Sequence, residues 1–238
     1  MGDAEKVLSK LVTKAIGRYS LIADGDRVMV AVSGGKDSTA LAYELAVRRR
    51  WCKERYELLA VHIATDFCAC CKRAELERRF AERGIPYVEL SVPVIGRLKP
   101  GERMNCWWCS TQRRTELVKF AMKEGFGKLA LGHHLDDIVE TLLMNMMFKG
   151  EFSTMPPSMP YEKYPVTVIR PLALVEERQV IGYAEESGFR SAACTCRYGV
   201  DSKRKEVRAR IAALTGGSSA VKRRIYESMS RVRAAYLA

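Results

Sequence analysis

The chain has 238 residues, 47% hydrophobic and 29% charged, which suits one soluble globular domain with appendages and a sizeable core. Forty Lys and Arg against 28 Asp and Glu leave a net charge of +12, pointing to a polyanionic partner, nucleic acid first. No apolar run reaches bilayer length and Met1-Gly2-Asp3-Ala4-Glu5-Lys6 lacks a signal-peptide core, so no membrane and a cytoplasmic address are expected. Eight cysteines in that compartment point to metal binding or catalysis and away from a disulfide framework.

In chain order, Val7, Leu8, Leu11, Val12, Ala15 and Ile16 recur at helical spacing and predict an amphipathic helix over 4–19. Val28 to Val32 reads as the first strand and runs into Ser33-Gly34-Gly35-Lys36-Asp37-Ser38, after which Thr39 to Ala46 keep a helical pattern. A strand, a tight glycine turn and a helix N-terminus make an anion site. The glycines admit a phosphate close to the backbone, and the free N–H groups and dipole of the helix favour negative charge. Lys36 adds a point charge, and Ser33 and Ser38 add hydroxyl donors. The Walker A spacing is absent.

The second strand is read at 58–63, then a charged helix at 72–83 stopped by Gly84 and Pro86, and a third strand at 87–92. A loop with Pro93, Gly96, Pro100 and Gly101 leads into a helix from about 107 to 123. A fourth strand at 128–132, an apolar helix at 134–148, a structured loop at 149–165, a fifth strand at 166–170 and a helix at 176–187 follow. Strands alternating with helices predict an α/β fold: a parallel five-stranded sheet with helices on both faces. Ser33, His62, Gly132 and Arg170 fall at strand carboxyl ends in this reading and are expected to converge on one crevice.

Residues 201–238 carry ten basic and three acidic side chains, a net +7 of the chain's +12, and read as two basic helices broken at Gly216-Gly217-Ser218-Ser219. The organisation expected is an N-terminal helical segment at 1–22, a nucleotide-binding domain at 23–190 that includes the CxxC, and a C-terminal segment at 191–238 with a cysteine pair and the basic helices.

Cys106-Trp107-Trp108-Cys109 is compatible with half a zinc site, a redox pair or two ligands of an iron–sulfur cluster. The tryptophans suit shielding of a cluster, stacking on a base or core packing. Cys52 reads as inert. For Cys68-Ala69-Cys70-Cys71 a second metal, a sulfur relay and a fortuitous cysteine-rich loop stay open. In Gly132-His133-His134-Leu135-Asp136-Asp137, a pair of carboxylates at a strand end suits Mg²⁺ beside a polyphosphate, making Asp37 and Asp136 candidates for metal or catalytic roles. Asp137 and Glu140 also suit capping and dipole compensation in a first helical turn.

Ser33-Gly34-Gly35-Lys36-Asp37-Ser38 resembles the PP-loop of the N-type ATP pyrophosphatases, which adenylate a substrate oxygen. A closer resemblance rests on the order of the other motifs. These are the CxxC followed by Gln112-Arg113-Arg114, then Gly132 to Asp137, Asn145-Met146, Met155-Pro156-Pro157, Ile169-Arg170-Pro171-Leu172 and a cysteine pair near 195. Over residues 20–210 this order resembles the tRNA 2-thiocytidine synthetases, a branch of the tRNA 2-thiolation enzymes.

The resemblance implies an ATP- and Mg²⁺-dependent sulfurtransferase acting on tRNA, best an anticodon-loop cytidine, with an unidentified sulfur donor and a homodimeric assembly. A tRNA uridine or a small molecule is the alternative substrate. The resemblance also implies a 4Fe–4S cluster on three cysteines, Cys106, Cys109 and Cys194, whose fourth iron binds the sulfur to be transferred. Where the family carries a second CxxC, this chain has Cys194-Thr195-Cys196. Counting back from Lys205-Glu206-Val207 places Cys194 at the ligand position, with Cys196 the second choice. The implied nucleotide site comprises Ser33, Gly34, Gly35, Lys36, Asp37, Ser38, His62, Ile63, Gly132 and Asp136, with Arg113 as the residue that neutralises the ATP phosphates. Lys36, Asp37, Asp136 and Cys194 are the implied catalytic set.

Overall fold

Apolar residues on one stripe make α1 (Asp3–Tyr19) a surface helix that buries Leu8, Val12 and Ile16. In the computed structural model, which describes residues 2–67, 73–189 and 202–236, it packs against α6 (Glu177–Glu186) and α2 (Lys36–Arg48). These three helices form one layer against a six-stranded sheet. Its strands are β1 (Arg27–Ala31), β2 (Glu57–Thr65), β3 (Tyr87–Val92), β4 (Lys128–Ala130), β5 (Ser158–Pro160) and β6 (Thr167–Ile169). Their spatial order is β3-β2-β1-β4-β6-β5.

Strand β1 is covered on both faces, which is why its apolar run is unbroken. Val28 and Val30 enter a core with Leu41, Leu45 and Tyr183, while Met29 enters the opposite one with Val61, Leu117 and Leu129. Helix α3 (Arg73–Ala81) belongs to the first layer through Leu76 and Phe80, and α4 (Cys106–Lys123) to the second through Leu117, Val118 and Ala121. A third cluster joins α5 (Leu135–Lys149) to α7 (Ser202–Thr215) and α8 (Ser219–Ser228) through Ile138, Val139, Val207, Ile211 and Tyr226.

From β1 the chain runs outward through β2 to β3, then returns to the other side of β1 with β4 and β6. The order therefore reverses between β1 and β4, and the crevice outside their carboxyl ends is where such sheets bind ligands. The glycine loop lies there.

Two expectations are corrected. The sheet has a sixth strand: β5, inside the segment read as a loop, pairs antiparallel with β6 at its edge, Met159 opposite Val168. Pro157 and Pro160 mask it in the sequence, since proline is confined to strand ends and edges. His62 is not at a strand end, because β2 continues to Thr65 in register with β3. Among the described residues, no helix is long and apolar enough to cross a membrane.

Candidate functional site

The loop between β1 and α2 is held by its own serines. Ser38 Oγ accepts from Ser33 N at 3.0 Å, and Ser33 Oγ accepts from Gly35 N at 3.2 Å. Gly34 takes φ +80°, a conformation favouring glycine, which turns the backbone back toward the helix. Gly35 is the N-cap of α2 and, among the described residues, no side chain caps the helix, so its first amides remain donors for an anion. Gly132 closes the crevice from β4. A Cβ there would stand 2.9 Å from Ser38 N and 3.0 Å from Asp37 C, so only glycine lets the two backbones approach this closely.

A charged cluster surrounds the loop. Lys36 Nζ donates to Glu177 Oε1 at 2.8 Å and lies 3.1 Å from Asp37 Oδ1. Burial pulls its pKa down, but the hydrogen bond to Glu177 and the charge of Asp37 prevail, and the net shift is upward. Asp37 Oδ1 is buried and accepts no hydrogen bond among the described residues, the ammonium being off line. His134, 2% exposed, has Nδ1 facing the Asp137 amide at 3.4 Å, while Asp137 Oδ2 accepts from His134 N at 3.0 Å. This reciprocal cap of α5 makes Nδ1 the acceptor and puts the proton on Nε2, which faces Asp37 Oδ1 at 3.8 Å.

Asp136 accepts from the Glu177 amide at 2.7 Å through Oδ2 and pairs with Lys222 of α8 through Oδ1. Burial raises its pKa, but Lys222 and the Glu177 amide outweigh that, so it stays ionised below the usual carboxylate range. His133 is pushed down to about 4 by burial and the nearby Arg170 guanidinium, which donates from Nε to its Nδ1 at 3.4 Å. It is neutral at physiological pH. Arg170 is buried, donates to Pro156 O at 2.5 Å, and is itself lowered to about 10 by burial and by Arg114.

His62 works behind the loop: its Nδ1 meets Val32 O at 2.7 Å, bracing the residue before Ser33. Val61 O accepts from Val32 N at 2.9 Å. Two residues on, Ile63 turns its backbone to the same side, beyond the end of β1, while its side chain is buried on the α4 side.

The cysteines lie on α4. Cys106 opens the helix and is exposed, and Cys109 is half-buried one turn later on the same face. Asn105 caps the helix by accepting from Trp108 N at 2.9 Å. Cysteine binds iron or zinc through its sulfur as the thiolate. Trp108 packs inward and donates from Nε1 to Val94 O at 3.0 Å, whereas Trp107 is 72% exposed. Arg113 follows one turn after Cys109, with a buried Nε that makes no hydrogen bond among the described residues.

Comparison with known proteins places this arrangement. A family model described as a PP-loop domain matches residues 3–214. The chain is 37% identical over 241 residues to the tRNA-cytidine(32) 2-sulfurtransferase of Geobacter sulfurreducens, covering 98% of this chain and 92% of that protein. It is 42% identical over 193 residues to the enzyme of the same name from Syntrophotalea carbinolica, covering 79% and 74%. The chain belongs to the tRNA-cytidine(32) 2-sulfurtransferase family of PP-loop proteins. Its structure is similar to the U34-tRNA thiolase NcsA from Methanococcus maripaludis with its [4Fe-4S] cluster, with TM-score 0.78 and 26% identity over 95% of this chain and 77% of that one. It also shares its fold with NMN synthetase from Francisella tularensis, with TM-score 0.55 and 14% identity over 96% and 92% of the two chains.

For this family member, the structure brings Ser33 to Ser38, Gly132, His134 and Asp136 together at the switch point. His62 and Ile63 flank them on β2, and Cys106, Cys109 and Arg113 lie on α4. Cys194 and Cys196, and the cluster at Cys68, Cys70 and Cys71, lie outside the described residues. Glu177 and Lys222 join the site without having been singled out in the sequence; only the acidic start of a helix after the last strand hinted at Glu177. Glu140 does not compensate a dipole alone: it is buried and pairs with the exposed Arg208 at 2.6 Å. The basic tail also faces inward: Arg223 pairs with Glu176 at 2.9 Å, and Lys222 with Asp136. Lys205, Arg224 and Arg233 make no ion pair among the described residues and carry the tail's outward charge.

Proposed function

We propose that this protein is an ATP-dependent tRNA sulfurtransferase that replaces the C2 oxygen of an anticodon-loop cytidine with sulfur. The observation that carries the reading is the uncapped glycine loop at the switch point of a chain that also carries Cys106 and Cys109 on α4. ATP lies with its phosphates on the amides of Gly35 to Ser38, with Lys36 as counter-charge and Arg113 approaching from α4. The backbone of Ile63 lies where the adenine reaches past β1, and His62 keeps the loop's base in place.

The chemistry divides into two steps. The C2 oxygen of the base attacks the α-phosphorus and pyrophosphate leaves, giving an adenylated base. Hydrosulfide then adds at C2 and AMP leaves with the oxygen, the hydrosulfide proton passing to solvent. Turning a poor leaving oxygen into AMP splits one hard step into two easier ones. No general base is required, because a carbonyl oxygen has no proton to lose. The protein's task is to hold charge in place. His133 is neutral at physiological pH and Arg170 cationic, so together they add positive charge at the crevice.

The donor set fits an iron–sulfur cluster: two soft thiols one helical turn apart, at a helix N-terminus, with exposed approach. Cys106 and Cys109 would hold it together with Cys194. When bound, it supplies the site to which the transferred sulfur is attached. Asp37 fits Mg²⁺ through its buried, unbonded Oδ1. Asp136, engaged by Lys222 and Glu177, orders the helices around the site. A homodimer is the assembly we propose. Anaerobic purification followed by iron, zinc and sulfide analysis tests the donor set, repeated for Cys106→Ala, Cys194→Ala and Cys196→Ala. About four irons per chain, lost in the first two variants, are expected; stoichiometric zinc without iron contradicts the reading.

A further inference from the structure

Beside the cysteine helix is a groove that the nucleotide site does not use. It has a volume of about 170 Å³ and lies between one face of α4 and the hairpin tip that joins β5 to β6. Arg114, Thr115, Val118 and Lys119 line one wall, and Tyr161 and Tyr164 the other. The tip is held in place: Tyr161 N donates to Val166 O at 3.0 Å, and Val166 N to Tyr164 O at 2.7 Å. The two rings meet edge to face with centroids 6.1 Å apart, and Tyr164 remains 43% exposed.

The groove carries unbalanced positive charge. No carboxylate lines it, and Arg114 forms no ion pair among the described residues. Lys119 reaches Glu116 at 3.3 Å but shares that carboxylate with Arg97. Burial and the charge of Arg114 both lower the pKa of Arg170, while Tyr161 acts in the opposite direction. Two guanidinium groups held near each other without a carboxylate call for an anion. The groove is thus built on the helix that carries Cys106 and Cys109 and on the hairpin whose second strand ends just before Arg170. Up the helix, exposed Trp107 stands one turn before Thr111, which also lines the groove, so the aromatic and cationic surface continues to the cysteines.

Exposed aromatic rings interleaved with cations, here on the helix that also carries the cysteines, are the chemistry that holds single-stranded nucleic acid. We propose that this groove receives an unpaired nucleotide of the RNA next to the one being modified, its base against Tyr164 and its phosphate on Arg114 and Lys119. This rests on the tRNA reading above. It assigns the hairpin tip a role in placing the target base, which must leave its stack to enter the crevice.

The test measures binding of a full tRNA transcript and of its anticodon stem-loop to the anaerobically purified full-length protein across a salt series. Tyr164→Ala should weaken both by about tenfold or more without changing the salt slope, and Tyr164→Phe should restore them. Arg114→Ala should reduce the slope by about one, with ATP affinity unaltered. If the parent binds tRNA and Tyr164→Ala and Arg114→Ala bind it equally well, the groove is off the RNA path and the inference falls while the function stands. Equal loss of tRNA and ATP binding in both Tyr164→Ala and Tyr164→Phe gives the ring a structural role and also overturns it. If the parent neither binds nor thiolates tRNA, the reading and the inference fall together.

Discussion

Lys36 Nζ donates to Glu177 Oε1 at 2.8 Å, so the first residue of α6 holds the cation of the glycine loop. The phosphates of ATP must take Lys36 from this carboxylate. Glu177→Gln keeps the backbone amide that binds Asp136 and removes the competing charge. ATP affinity should therefore rise several-fold, whereas Lys36→Ala should lower it more than tenfold. Calorimetry with a non-hydrolysable ATP analogue measures both; weaker binding by Glu177→Gln would show that the carboxylate aims Lys36 instead of competing for it.

Gly132→Ala tests the close approach of β4 to the loop. The new methyl meets backbone atoms of Asp37 and Ser38, not a flexible side chain, so the loop itself must move. We expect a loss of about 1–3 kcal/mol in stability and a fall in ATP affinity of at least tenfold. Thermal unfolding with and without ATP separates the two effects.

Lys222→Met removes the cation that holds Asp136 ionised. The folded-state pKa of Asp136 is depressed, so its contribution to stability is present above its unfolded value and is lost as pH falls through the depressed one. Glu177 and Glu176 behave alike. Without Lys222 the pKa of Asp136 rises, so acid unfolding should begin at higher pH. The acid limb of tRNA-dependent ATP turnover should move the same way. Unchanged pH profiles would mean that Lys222 contributes nothing to the charge state of Asp136.

Glu44 is fully buried in α2, neither carboxylate oxygen accepts a hydrogen bond among the described residues, and burial pushes its pKa up to about 7. The sign is opposite to that of Asp136. The folded state holds the proton, so stability falls as pH rises from about 4.5 to about 7 and is level above. Glu44→Gln should therefore stabilise by roughly 2–3 kcal/mol at pH 8 and by almost nothing at pH 4. Denaturant unfolding at the two pH values reads the difference.

The glycine loop was legible because its signal is local: an apolar strand, two glycines and a helix start are consecutive. The boundary of β2 was not, because Ile63, Ala64 and Thr65 continue a strand as readily as they end one. That extension changes the role of His62 from lining the pocket to bracing Val32. The pairs Lys36–Glu177 and Asp136–Lys222 span 141 and 86 residues. A basic tail reads as solvated charge until the packing of α8 on α5 turns Lys222 toward the loop. Trp107 and Trp108 are neighbours in sequence, and only the helix face separates the exposed ring from the packed one.

The reaction proposed for this chain makes 2-thiocytidine in tRNA at the expense of ATP. Anaerobically purified protein is incubated with ATP, Mg²⁺, sulfide and unmodified tRNA, and the digested nucleosides are identified by mass spectrometry. 2-Thiocytidine should form with matching AMP, and should be absent without ATP and in Lys36→Ala and Cys106→Ala. Formation of 2-thiouridine in place of 2-thiocytidine, or thiolation that proceeds without ATP, would contradict the proposed reaction.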